Sequence, residues 1–200
     1  MPHSIDYYLA LQSPWTYLGH ERFVRIAAAA RAPVHVRPMD LGKVFPVSGG
    51  LPLPKRAPQR QAYRLVELQR FSAWLGLPLN LQPKFFPVSA DDAARLVVAV
   101  DLADGAAAAL QLSGRVLAAV WVQERDIASA ATLAELLAEC GLPAERLAAS
   151  MSAEVLAHYE RCTQQAIDAG VFGSPSYVVE GEIFWGQDRL DFLERRLARP

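Results

Sequence analysis

Only two of the 200 residues are cysteine, Cys140 and Cys162, and they do not form a Cys-x-x-Cys pair. A redox motif of that spacing is therefore excluded, and both thiols, set in alanine- and leucine-rich helical surroundings, read as packed and reduced. The four histidines, His3, His20, His35 and His158, show no His-x-x-x-His spacing, so no metal site is expected. Neither sign of charge dominates, since the formal net charge is −1. General attraction to nucleic acid or to an anionic membrane is unsupported. The short basic cluster Lys55, Arg56 and Arg60 reads as a solvated loop face. A long uninterrupted apolar run is also missing. The most apolar stretch, 96–122, is broken by Asp101, Asp104 and Arg115, against a membrane span. The N-terminal residues have neither a basic segment nor an apolar one, so no signal peptide and a cytoplasmic location are expected. Neither Gly-x-Ser-x-Gly nor Gly-x-Gly-x-x-Gly occurs, which removes the hydrolase-elbow and dinucleotide readings.

What is present is a compact, globular composition, 52% hydrophobic and 20% charged, in a chain long enough to bury a substantial core. Residues 5–11 read as a buried strand. Ser13-Pro14 then opens a helix to about Ala30, with proline where its missing N–H costs nothing. Val34 to Arg37 alternates as a second strand, stopped by Pro38. A crossover of this length favours a parallel pair. Residues 46–58, rich in proline and containing Gly49-Gly50, read as a connecting loop. Helical patterning then runs from 59 to 169. Ser89 is a candidate N-cap, Thr132 to Glu135 a candidate capping box, and Gly141 and Gly170 are candidate stops. Ser176 to Glu180, Gly181 and Glu182 to Trp185 read as a β-hairpin, followed by a last helix from Arg189 to about Leu197. The layout is βαβ, a long helical insertion, then ββα. It assigns 1–45 and 170–200 to one α/β domain and 59–169 to a helical insertion domain.

Three short segments sharpen this layout. Ser13-Pro14-Trp15-Thr16-Tyr17-Leu18 resembles the active-site turn of 2-hydroxychromene-2-carboxylate isomerases and kappa-class glutathione transferases. Val171-Phe172-Gly173-Ser174-Pro175-Ser176 is similar to their cis-proline segment, and Trp185-Gly186-Gln187-Asp188-Arg189-Leu190 to their glutathione-binding turn. The resemblance implies a thioredoxin-like fold with a large all-helical insertion, of the DsbA and kappa-transferase type. It also implies a homodimer, glutathione as cofactor and a small aromatic carboxylate as substrate. Residue by residue, it implies Ser13 as the catalytic hydroxyl beside the glutathione sulfur. Ser174 and Pro175 would pair with the cysteinyl backbone. Trp185, Gly186, Gln187 and Asp188 would hold the γ-glutamyl end, with the Asp188 carboxylate on its ammonium. Trp15 would line the substrate pocket. Two departures lie in the middle of the chain. Gly50-Leu51-Pro52 stands where the family carries asparagine before prolines. The lysine that meets the substrate carboxylate falls near Phe45, which leaves Lys43 as the candidate cation.

The residues support the same chemistry by themselves. A serine hydroxyl heading a helix sits beside unpaired N–H groups and the positive end of the helix dipole, where a thiolate is favoured. Ser13 is equally suited to be a plain N-cap, Asp188 to be a first-turn acid, and Trp15 or Trp185 to be core. The activity implied is isomerisation by reversible thiol addition. A kappa-like transferase and a non-catalytic thioredoxin-like binding module stand as alternatives. Disulfide exchange is disfavoured, because it needs a thiolate at the turn.

Overall fold

A computed structural model describes residues 3–198. A four-stranded mixed sheet has the order β2-β1-β3-β4, built from β1 (Ile5–Leu9), β2 (Val34–Pro38), β3 (Ser176–Val179) and β4 (Glu182–Trp185). β1 pairs parallel with β2, through α1 (Pro14–Ala29) as the crossover, and antiparallel with β3. β3 and β4 form the expected hairpin. Its turn residues Glu180 and Gly181 both have positive φ, 51° and 83°, as a tight two-residue connection requires.

Alternation along the strands divides two cores. Ile5, Tyr7, Leu9, Val36, Tyr177 and Val179 enter the larger cluster, whereas Tyr8 and Val178 face a smaller one with Met39, Val44, Ala166 and Val171. At the centre of the larger cluster Tyr7 stacks on Tyr177 with ring centroids 5.3 Å apart, and Phe23 of α1 packs against both. Burying each such side chain stabilises by about 1.5–3 kcal/mol. A helix cap contributes only about 1 kcal/mol, so the period-2 pattern sets the register.

Between β2 and β3 the chain is helical: α2 (Leu41–Ser48), α3 (Pro58–Leu75), α4 (Asp91–Asp104), α5 (Ala106–Trp121), α6 (Ala130–Glu139), α7 (Glu145–Ala149) and α8 (Ala153–Asp168). α9 (Leu190–Leu197) closes the fold after a 3₁₀ turn over Gln187–Arg189. The larger core is continuous from the sheet into α4, α5 and α6, through Leu96, Val100, Leu117 and Trp121. His20 ties α1 to α5. Its Nε2 lies 2.9 Å from the Leu110 carbonyl and its Nδ1 3.1 Å from the Tyr7 hydroxyl, which defines a neutral ring donating to the carbonyl and accepting from the phenol. Gly114 makes room for this contact, since a Cβ there would stand 3.1 Å from the His20 ring.

Four local readings change. The stretch expected as loop from residue 46 begins inside α2, an eight-residue helix capped by the Asp40 carboxylate on the Gly42 N–H and ended by Gly49 at φ 75°. A 3₁₀ turn at Leu53–Lys55 interrupts the rest. Ser129 rather than Thr132 caps α6, and Glu135 bonds Arg125 instead of closing a capping box. Ser89 bonds the Asp91 carboxylate one residue before the Ala90 cap of α4.

Candidate functional site

α1 begins just beyond the carboxyl end of the interior strand β1, and Ser13 is the N-cap of that helix with extended backbone, φ −81° and ψ 124°. Its hydroxyl accepts from the Thr16 N–H at 3.2 Å and donates to the Ser174 carbonyl at 3.3 Å. Pro14 has no N–H, and the Trp15 N–H has no partner among the described residues. A donor-rich helix end with one unclaimed N–H is thus set beside a hydroxyl whose own bond is long.

Ser174 comes from the loop before β3, where the Ser174–Pro175 peptide is cis, as the resemblance implied. Its hydroxyl accepts the Ala10 N–H and bonds the Thr16 hydroxyl, each at 2.8 Å. The loop is thereby fastened to both β1 and α1. The Pro175 carbonyl accepts from the Gly186 N–H at 2.9 Å, which joins this loop to the turn after β4.

Ser13, Ser174, Trp15 and Trp185 all line one cleft of about 680 Å³. Its walls are otherwise largely apolar, with Leu41 and Phe45 of α2, Phe86 and Val88 before α4, and Phe172 beside Trp185. The Phe172 and Trp185 rings meet edge to face at 4.8 Å. Gly173 must lack a side chain there, because a Cβ would sit 2.4 Å from the Trp185 Nε1.

The other expected residues lie off this surface. Pro175, Gly186, Gln187 and Asp188 are not part of the cleft lining; they continue from Ser174 and Trp185 along the chain. Gln187 is buried against α1, where a Cβ on Gly19 would be 2.7 Å from its own Cβ. Asp188 is exposed and accepts from Arg189 at 2.6 Å. Lys43 is also outside the cleft lining. Its ammonium is exposed and bonds both carboxylate oxygens of Glu160 at 2.6 Å, which raises its pKa. The α2 helix explains this displacement, because it carries Leu41 and Phe45 to the cleft and Lys43 to α8.

Sequence reasoning missed the polar groups on the opposite wall. Arg56, Arg60 and Arg64 all line the cleft, Arg60 and Arg64 one turn apart on α3. The i, i+4 spacing of Arg60 and Arg64 is the available signal, but Arg56 and Arg60 read as a solvated loop face in the sequence. Arg64 lies over the Phe86 and Trp121 rings, 5.2 and 5.7 Å from their centroids, and its buried Nη2 has no hydrogen-bond partner among the described residues. Burial, with the nearby Arg56 charge, pushes its pKa down to about 10. Gln12 was missed as well; its buried amide oxygen has no partner and it lines the cleft next to Ser13.

Neither cysteine belongs to the cleft lining, and both are free thiols. Burial pushes the Cys162 thiol up to about 11 and raises Cys140. Such thiols are poor nucleophiles near neutrality.

The fold and the serine-headed turn define a thioredoxin-like protein without the redox cysteines. A family model for the DSBA-like thioredoxin domain matches residues 4–198, and the chain belongs to that family. Within it, the chain is 28% identical over 199 residues to the 2-hydroxychromene-2-carboxylate isomerase of Sphingobium xenophagum, covering 98% of this chain and 99% of that protein. It is 24% identical to the glutathione S-transferase kappa 1 of Homo sapiens, covering 99% of this chain and 92% of that one. A solved 2-hydroxychromene-2-carboxylate isomerase structure superposes with a TM-score of 0.82 at 25% identity, over 98% of this chain and 94% of that one.

Proposed function

We propose that the chain is a glutathione-dependent isomerase of the 2-hydroxychromene-2-carboxylate type, interconverting a chromene carboxylate and its ring-opened benzylidenepyruvate. The observation that carries this reading is the Ser13 hydroxyl, set at the start of α1 in an aromatic-walled cleft that no cysteine lines. The residues fit a thiol tripeptide. The unclaimed Trp15 N–H and the long Ser13 bond to Ser174 leave donors for a sulfur, and the orphaned Gln12 oxygen leaves an acceptor for a ligand N–H. Glutathione bound there supplies a thiol that adds reversibly to a conjugated double bond and is regenerated.

The protein's own part is electrostatic and positional. Ser13 turns its proton from the Ser174 carbonyl toward the sulfur and, with the helix end, lowers the thiol pKa. Ser174 and Pro175 offer backbone for the cysteinyl unit to pair with like an added strand. Trp185 closes that end, while Gly186, Gln187 and Asp188 serve the γ-glutamyl end, with Asp188 released from Arg189 to meet the ammonium. Trp15, Phe45 and Phe86 form walls suited to a flat ring and exclude water from it.

The decisive assay follows the chromene carboxylate in the presence of glutathione while titrating free thiol. Conversion with a constant thiol titre supports the isomerase. Loss of thiol in step with product makes the chain a kappa-like transferase instead, and absence of glutathione binding makes it a non-catalytic module.

A further inference from the structure

Resting on the isomerase reading, we propose that Arg64 is the specificity-determining group that receives the carboxylate of the aromatic substrate. The argument starts from charge. The cleft lining contains Arg56, Arg60 and Arg64 but, among the described residues, no aspartate, glutamate or lysine. Three cations on one wall therefore face the cavity without a carboxylate on its surface to neutralise them. Arg56 is occupied, since its Nε donates to the Leu51 carbonyl at 2.8 Å. Arg60 is exposed. Arg64 differs from both, because it is half-buried in the lining and makes no hydrogen bond or ion pair among the described residues.

A buried unpaired donor on a charged group is costly unless a ligand satisfies it. The guanidinium fork matches a carboxylate in two parallel hydrogen bonds, a geometry that a lysine ammonium does not offer. Its surroundings select what carries the anion. Arg64 sits over the ring of Phe86, itself a cleft residue, and over that of Trp121 behind it. An acid attached directly to a conjugated, planar framework can place its ring on the apolar wall and its oxygens on the fork. Desolvation and the repulsion of Arg56 lower the Arg64 pKa, and an anion beside the guanidinium would offset both. Lys43, committed to Glu160, does not compete for this role.

The test uses calorimetry on the full chain, first with glutathione and then with 2-naphthoate or its neutral carboxamide added to the glutathione-saturated protein. Wild type should bind the acid at least ~10-fold tighter than the amide, the scale of a charge-assisted pair. Arg64→Gln should abolish that ratio and leave glutathione affinity within about twofold, while Arg64→Lys should retain part of the ratio. Circular dichroism reports that each variant is folded, and the lysine variant keeps the test open if the glutamine variant is not. An acid-to-amide ratio near one in wild type, or an unchanged ratio in both variants, overturns the proposal. So does a loss of glutathione affinity equal to the loss for naphthoate, which assigns the fork to a glutathione carboxylate. The naphthoate ratio needs no turnover. A chain that shows the ratio but no isomerisation keeps the anion site and loses the isomerase reading; isomerisation without the ratio does the reverse.

Discussion

The two polar walls of the cleft are built on opposite plans. On the α1 side every hydroxyl is engaged: Ser13 with Ser174 and Thr16, and Ser174 with Ala10 and Thr16. On the α3 side the guanidinium of Arg64 lies over rings and bonds no partner among the described residues. The difference separates two tasks. In the proposed reading the bonded hydroxyls fix the position of a reacting atom, while the unpartnered Trp15 N–H, Gln12 oxygen and Arg64 guanidinium are left for ligands.

The largest effect is expected from the engaged side, beneath the site. Burial lowers the His20 pKa to about 4, against an ordinary value near 6.5. The unfolded chain therefore takes up a proton as pH falls through about 6.5, while the folded protein resists until about 4. Stability is complete above the first value and is lost progressively between the two, by about 3 kcal/mol at 1.36 kcal/mol per unit. Urea unfolding at pH 7 and pH 4.5 should show that His20→Gln loses much less than wild type over this range. Equal losses would mean that the α1–α5 link is not pH-sensitive.

Ser13→Ala comes next. It should lower turnover by at least about tenfold, the lower range for losing one hydrogen bond to a charged group. Glutathione affinity should change less than about twofold, because the tripeptide is held elsewhere as well. Steady-state kinetics with calorimetry separates the two; a change in affinity alone would move Ser13 to the binding side of the comparison. Asp188→Ala should weaken glutathione binding by about three- to tenfold with turnover at saturation preserved, as expected for an exposed charge pair. Wild-type affinity in that variant would remove the ammonium contact. The smallest effect belongs to Lys43→Ala, which should leave the Michaelis constant for the carboxylate within about twofold, since an exposed pair with Glu160 contributes at most ~1 kcal/mol. A tenfold rise would return the cation to α2 and break the assignment of the α3 wall.

The parts that local chemistry dictates were readable in the sequence. Tyr7, Tyr8, Tyr177 and Val178 alternate between two cores, and Glu180-Gly181 supplies the two positive φ angles of the hairpin. The serine-proline start and the segments around Ser174 and Trp185 pointed to one site from opposite ends of the chain, and Ser13, Ser174 and Trp185 do share the cleft. What stayed hidden depends on packing between distant segments. Pro46 and Gly49-Gly50 imitate a loop, yet the Asp40 cap and the burial of Val44 make α2 a helix that turns Lys43 away from the cleft. Arg64 carries no signal of its own in the sequence; only the folded arrangement lays it over Phe86 and Trp121, which come from later segments. The Ser129 cap was missed for a simpler reason, since a serine and a threonine three residues apart both offer plausible oxygens.

The central claim is that a bound tripeptide brings the reactive sulfur and that Ser13 keeps it ionised. The ultraviolet absorbance of the thiolate, followed against pH for glutathione bound to wild type and to Ser13→Ala, measures this directly. Bound to wild type, the thiol should titrate at least about one unit below the ordinary cysteine value near 8.5, and in the variant it should move back toward that value. Identical titrations in the two proteins, or a thiol in wild type that ionises no more easily than free glutathione, would contradict the account.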